Sequence, residues 1–234
     1  MKDFGLLEKK LNLKFKNKNL LIQAFTHRSY LNEHPNFIVE HNERLEFLGD
    51  AVLELVVTEY LFKNYPKRKE GELSWWRAAL VNSEFLAEIA RELNFSDFLL
   101  LSRGEAKETG KGKVSILANT FEAFIGALYL DQGYQKVKSF IKKNLMVKLP
   151  EIIKNNLYKN AKSQLQELIQ EKINITPIYK VLNEWGPDHC KHFTVGVFLE
   201  NKLIGKGEGS SKQEGEIKAA KDALERKGWI KNFN

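Results

Sequence analysis

A chain of 234 residues with 43% hydrophobic and 11% aromatic content has room for one large or two modest domains and enough apolar mass for packed cores, which excludes a disordered protein. A single cysteine, Cys190, excludes an internal disulfide framework or a thiolate-rich zinc site. No segment reaches the roughly 18 uninterrupted apolar residues of a membrane span, so a cytoplasmic setting with no membrane is expected. The net charge of +7 suggests an anionic partner, and seven lysines fall in residues 136–160 against one acid, Glu151.

In chain order, residues 6–30 read as short helices ending in Thr26-His27-Arg28-Ser29-Tyr30. A long helix is predicted at about 42–64, stopped at Tyr65-Pro66 because proline cannot continue the hydrogen-bond ladder. Helical spacing returns at 73–80, 83–93 and 116–130, and no window before 150 alternates with period two, so the first two thirds are all-helical by pattern. The stretch 104–112 superficially resembles a phosphate-binding loop, but its glycines are spaced one residue too far apart and Gly112 stands where a Ser or Thr is required; it reads as a mobile basic loop. Residues 151–160 are polar and lysine-bearing. A helix at 162–172, strands at 177–183, 192–200 and 202–209, and a closing helix at 211–227 follow.

The segment 41–52 places three carboxylates in an otherwise apolar helix. At about 100° per residue, Glu43, Glu46 and Asp50 share one stripe, while Leu45, Leu48, Val52, Leu55 and Val56 form the expected core-facing stripe. Clustered like charges repel and raise one another's pKa, and a divalent cation such as Mg²⁺ or Mn²⁺ reverses that problem. A solvated acidic face is the bland alternative. It weakens because a second apolar helix carries Asn119 and Glu122 one turn apart, and facing helices that each present oxygen donors are how helical proteins build metal sites.

The runs H-N-E-R-L-E-F-L-G-D-A-V-L and A-N-T-F-E-A-F-I-G-A-L-Y-L-D resemble the ribonuclease III family, and the likeness covers nearly the whole chain. It implies a multidomain protein: an all-α endonuclease domain at 1–149, a linker at 150–160, and a small α+β (α-β-β-β-α) double-stranded RNA-binding domain at 161–230. It also implies a homodimer that hydrolyses double-stranded RNA with Mg²⁺, Mn²⁺ being able to substitute, leaves 5′-phosphate and 3′-hydroxyl ends, and works in rRNA and mRNA precursor processing. By the same resemblance Glu46, Asp50, Asn119 and Glu122 are the metal-site positions, Asp50 and Glu122 the catalytic ones, and Glu43 and Glu70 supporting acids. Phe47 packs into the partner subunit on that reading, with ordinary core as the alternative from periodicity. Gln166, Gln170 and His189 match minor-groove contacts, and Ser211 and Lys212 a phosphate clamp.

Three departures from the family pattern stand out, one of them Gln213 where a second lysine is common, for which weaker RNA binding is expected. Asn119 replaces the commoner aspartate, leaving open either a tolerated variation or an attenuated nuclease that acts mainly by gripping duplex RNA. Gly215 replaces a usual alanine, with an expected cost to the last helix of about 1 kcal/mol.

Overall fold

The computed structural model describes residues 2–107, 109–155, 161–187, 190–226 and 228. The chain divides into two compact units, Met1–Tyr158 and Lys159–Asn234. The first contains nine α-helices among its described residues: α1 (Phe4–Leu11), α2 (Lys18–Ala24), α3 (Arg28–Glu33), α4 (Glu43–Asn64), α5 (Glu70–Val81), α6 (Ser83–Glu92), α7 (Gly110–Gln132), α8 (Tyr134–Asn144) and α9 (Leu149–Lys154). Part of the stretch expected to be a loop is helical. Residues 105–107 form a 3₁₀ turn, and α7 already begins at Gly110, extending the helix predicted at 116–130. The expected linker also begins as structure, because Leu149 and Ile152 bury their side chains and draw α9 into the first unit's core; residues 156–160 lie outside the described residues.

Helices α4 and α7 form the most extensive contact in the first unit. Glycine makes it. A Cβ on Gly49 would stand 1.7 Å from the Glu122 carbonyl oxygen, and one on Gly126 would stand 2.2 Å from that of Leu45, so the two backbones touch where side chains are absent. Helix α7 is long and apolar enough to cross a membrane by length and composition alone, yet it is mostly buried inside this unit, against α4, α6 and α2. Aromatic rings fill the space beside it, with Phe25 edge-on to Phe95 at 4.9 Å and Phe124 against Phe140 at 5.2 Å.

This contact corrects the expected core stripe of α4. The buried set is Leu45, Gly49, Val52, Leu53, Val56, Val57 and Leu61, while Leu48 is half-buried and Leu55 is 58% exposed. Docking centred on Gly49 rotates the helix so that Leu55 leaves the core. It joins Phe47, Ala51 and Phe62 on an exposed apolar stripe, and Phe47, 83% exposed, is not ordinary core.

The second unit runs α10 (Ala161–Lys172), β1 (Ile178–Trp185), β2 (His192–Leu199), β3 (Lys202–Gly209) and α11 (Lys212–Arg226), with the strands antiparallel in the order β1-β2-β3. Leu165 and Ile169 from α10, Val197, Leu199 and Ile204 from the sheet, and Ala219, Ala220 and Ala223 from α11 form its core. Gly215 belongs to this packing. Its Cβ would lie 2.6 Å from Val195 Cγ2, so the helix-propensity cost read from sequence is offset by close approach to the sheet. Gly215→Ala is accordingly expected to lower the melting temperature of this unit by a few degrees, where propensity alone would raise it; a thermal melt of the two proteins decides.

Candidate active site

Interlocking α4 with α7 at Gly49 and Glu122 sets the acids of one helix against those of the other. Glu46 and Asp50 flank the crossing on α4, and Asn119 and Glu122 lie on α7. Their electrostatics record how close they come. Glu122 is desolvated between the buried Phe121 and Ala123, and burial, reinforced by Asp50 and then Glu46, pushes its carboxyl up to about 7. Glu46 is raised as well, by burial first and then by Glu43 and Asp50, against a hydrogen bond from the Asn119 amide that works the other way. Asp50 and Glu46 of α4 thus act on Glu122 of α7, and Asn119 of α7 acts on Glu46, which Glu43 also influences.

Among the described residues, no three His, Cys, Asp or Glu side chains close into a ready-made cation cage. Asn119 softens the repulsion among the acids by donating to Glu46 where an aspartate would add another negative charge.

Glu70 sits elsewhere. It opens α5, accepts a hydrogen bond from the Ser74 hydroxyl at 2.7 Å, and does not figure among the charges that raise Glu46 or Glu122. In the second unit, Gln166 and Gln170 are exposed on α10. Ser211 caps α11, its hydroxyl accepting from the Glu214 N–H at 3.2 Å, and Lys212 lies over the Phe193 ring at 5.8 Å. His189 lies outside the described residues.

The family described as ribonuclease-III-like matches residues 17–149, and the double-stranded RNA binding motif matches 161–227. The chain belongs to the ribonuclease III family. It is 45% identical to Ribonuclease 3 of Streptococcus gordonii over 95% of either chain, and 46% identical to Ribonuclease 3 of a Nitratiruptor species over 96% of either. A solved nuclease domain of ribonuclease III from Campylobacter jejuni, described for flexibility in its dimer-forming region, is 49% identical with a TM-score of 0.54; the match covers 61% of this chain and 98% of that one. Family membership makes this a double-strand-specific endoribonuclease with a duplex-binding module after its helical nuclease unit.

Sequence reasoning overlooked Gly49 and Gly126, the residues that bring the two acidic helices together. Isolated glycines inside strongly apolar helices were the available signal, since they mark close backbone approach.

Proposed function

We propose that this ribonuclease III cleaves duplex RNA at the α4–α7 crossing with a divalent cation, Mg²⁺ by preference and Mn²⁺ as a substitute, held by Glu46, Asp50 and Glu122 with the Asn119 amide oxygen as a neutral donor. The raised Glu122 carboxyl carries the proposal: an acid pushed up to about 7 by burial first, and then by Asp50 and Glu46, belongs to a cluster that gains from a counter-ion. The donors are all hard oxygens, as Mg²⁺ requires. When bound, the cation activates a water and neutralises charge developing on the phosphate.

The chain's own residues do the rest. Asp50 and Glu122 hold the reacting centre, and at neutral pH Glu122 must give up a proton before it can act as a ligand. Glu43 supports them from the edge of the stripe, and Glu70 is assigned a supporting role by family pattern alone. Cleavage would leave 5′-phosphate and 3′-hydroxyl ends. Residues 1–149 would carry catalysis and 161–230 duplex binding, with Gln166, Gln170 and His189 in the minor groove and Ser211 and Lys212 on phosphate. The exposed stripe of Phe47, Ala51, Leu55 and Phe62 is the face a second copy would cover, giving a homodimer with one acidic cluster per subunit. Precursor rRNA and mRNA would be its substrates in a cytoplasmic setting.

Incubating the protein with a long RNA duplex, with Mg²⁺ and then with EDTA, tests this reading. Metal-dependent cutting to 5′-phosphorylated fragments is expected; a retained gel shift without cutting would leave only a duplex-binding protein. Asn119→Asp sharpens the comparison. Removing a hydrogen bond and adding a charge should lower the metal-free melting temperature while reducing the Mg²⁺ needed for half-maximal cleavage several-fold, read by thermal melts and a Mg²⁺ titration.

A further inference from the structure

The N-terminal edge of α4 is bordered by residues 26–29, to which the cleavage site so far assigns no role. This segment is stitched on both sides. The His27 N–H donates to the Leu100 carbonyl at 3.0 Å, and the Asn42 N–H, at the cap of α4, donates to the Thr26 carbonyl at 2.9 Å. The Asn42 side chain adds a bond to the Ala24 carbonyl at 3.3 Å. Ser29 is held from two directions: its hydroxyl accepts from the Ser102 N–H at 3.1 Å, and its N–H donates to His27 Nδ1 at 3.3 Å. The backbone of Arg28 is therefore fixed relative to the first turn of α4, where the acidic stripe starts.

From that platform Arg28 Nη1 reaches within 3.5 Å of Glu43 Oε1, while 70% of the Arg28 side chain stays exposed. An ion pair this open contributes little to the fold. Its location is more informative than its strength. The acids at the crossing repel a polyanion, and a guanidinium held at their rim presents planar donors suited to phosphate oxygens.

We propose that Arg28 contacts a backbone phosphate of the RNA duplex beside the bond that is cut, with Glu43 holding the guanidinium at the rim of the acidic cluster. This rests on the acidic cluster being the cleavage site. The shared consequence is directional: Glu43 serves the site by aiming a cation at substrate as well as by adding negative charge.

The test is the salt dependence of Mg²⁺-driven cleavage by the full chain and its Arg28→Ala, Arg28→Gln and Arg28→Lys variants. Losing one phosphate contact should make the slope of log(kcat/KM) against log[salt] shallower by about 0.9 in Arg28→Ala and Arg28→Gln. At low salt kcat/KM should fall about 10-fold or more, mostly through KM, with the melting temperature unmoved. Arg28→Lys, keeping the charge, should restore the slope. An unchanged slope in Arg28→Gln, whatever happens to kcat, overturns the proposal. If the unmodified chain does not cut with Mg²⁺, it is the cleavage-site reading that fails.

Discussion

Glu122→Gln is expected to abolish cleavage, by on the order of 10³-fold or more, while making the metal-free protein more stable at pH 8. The sign follows from the proton balance. In the folded chain the Glu122 carboxyl sits up at about 7, against about 4.5 when unfolded. Between those values the folded state binds the extra proton, so this group's contribution to stability is present below about 4.5 and is lost as the pH climbs towards about 7. Glutamine keeps the shape and has no charge to lose. The variant and the parent should therefore melt together near pH 4, diverge through neutrality, and differ by about 1–2 kcal/mol above pH 7.5, a figure discounted for the solvent that reaches a half-buried site. Adding Mg²⁺ should raise the parent's melting temperature at pH 8 and leave the variant's unchanged, because only the parent retains the full ligand set. A gel shift with duplex RNA should survive the substitution. A variant that loses cleavage and stability together at pH 8 would mean that Glu122 is an ordinary structural acid.

Gly49→Ala has the largest expected effect on stability. The added methyl would meet the Glu122 carbonyl oxygen at 1.7 Å and the Gly126 nitrogen at 2.9 Å, and both are helix backbone with no rotamer to change. The only relief is to separate α4 from α7, which opens the core of the first unit and pulls the acidic residues of the two helices apart. A loss of about 3 kcal/mol or more is expected, equivalent to a fall of roughly 6–12 °C in melting temperature for a unit of this size. Gly71→Ala supplies the contrast, since Gly71 lies in helix α5 with open space around its missing Cβ; there the same change should stabilise by about 0.5–1 kcal/mol. Parallel thermal melts of the two variants, with cleavage rates measured below their transitions, separate an effect of backbone contact from one of composition.

Element order was legible in the sequence because apolar spacing changes from helical to alternating after residue 170, and the strands at β1, β2 and β3 lie within two residues of where turn chemistry put them. The acidic cluster was legible because Glu43, Glu46 and Asp50 are placed by helix geometry alone, and an apolar setting makes three such charges costly without a purpose. What periodicity could not supply was rotation. Leu55 fits the core stripe of an isolated helix, and only the backbone approach at Gly49 and Gly126 turns it outward beside Phe47. The same limitation applied to Gly215 of α11, whose value depends on Val195, a residue of strand β2. Arg28 was invisible for a different reason: its partner Glu43 is fifteen positions away, and the hydrogen bonds that fix the intervening segment run to residues 100 and 102.

The most direct test of a cation shared between α4 and α7 is anomalous diffraction from crystals of the full chain soaked in Mn²⁺. A peak is expected at bonding distance, about 2.0–2.3 Å, from carboxylate oxygens of both Glu46 and Glu122, with Asp50 and Asn119 within reach directly or through water. A fully occupied ion that touches only one helix, or no ion there at concentrations that support cutting, would contradict it.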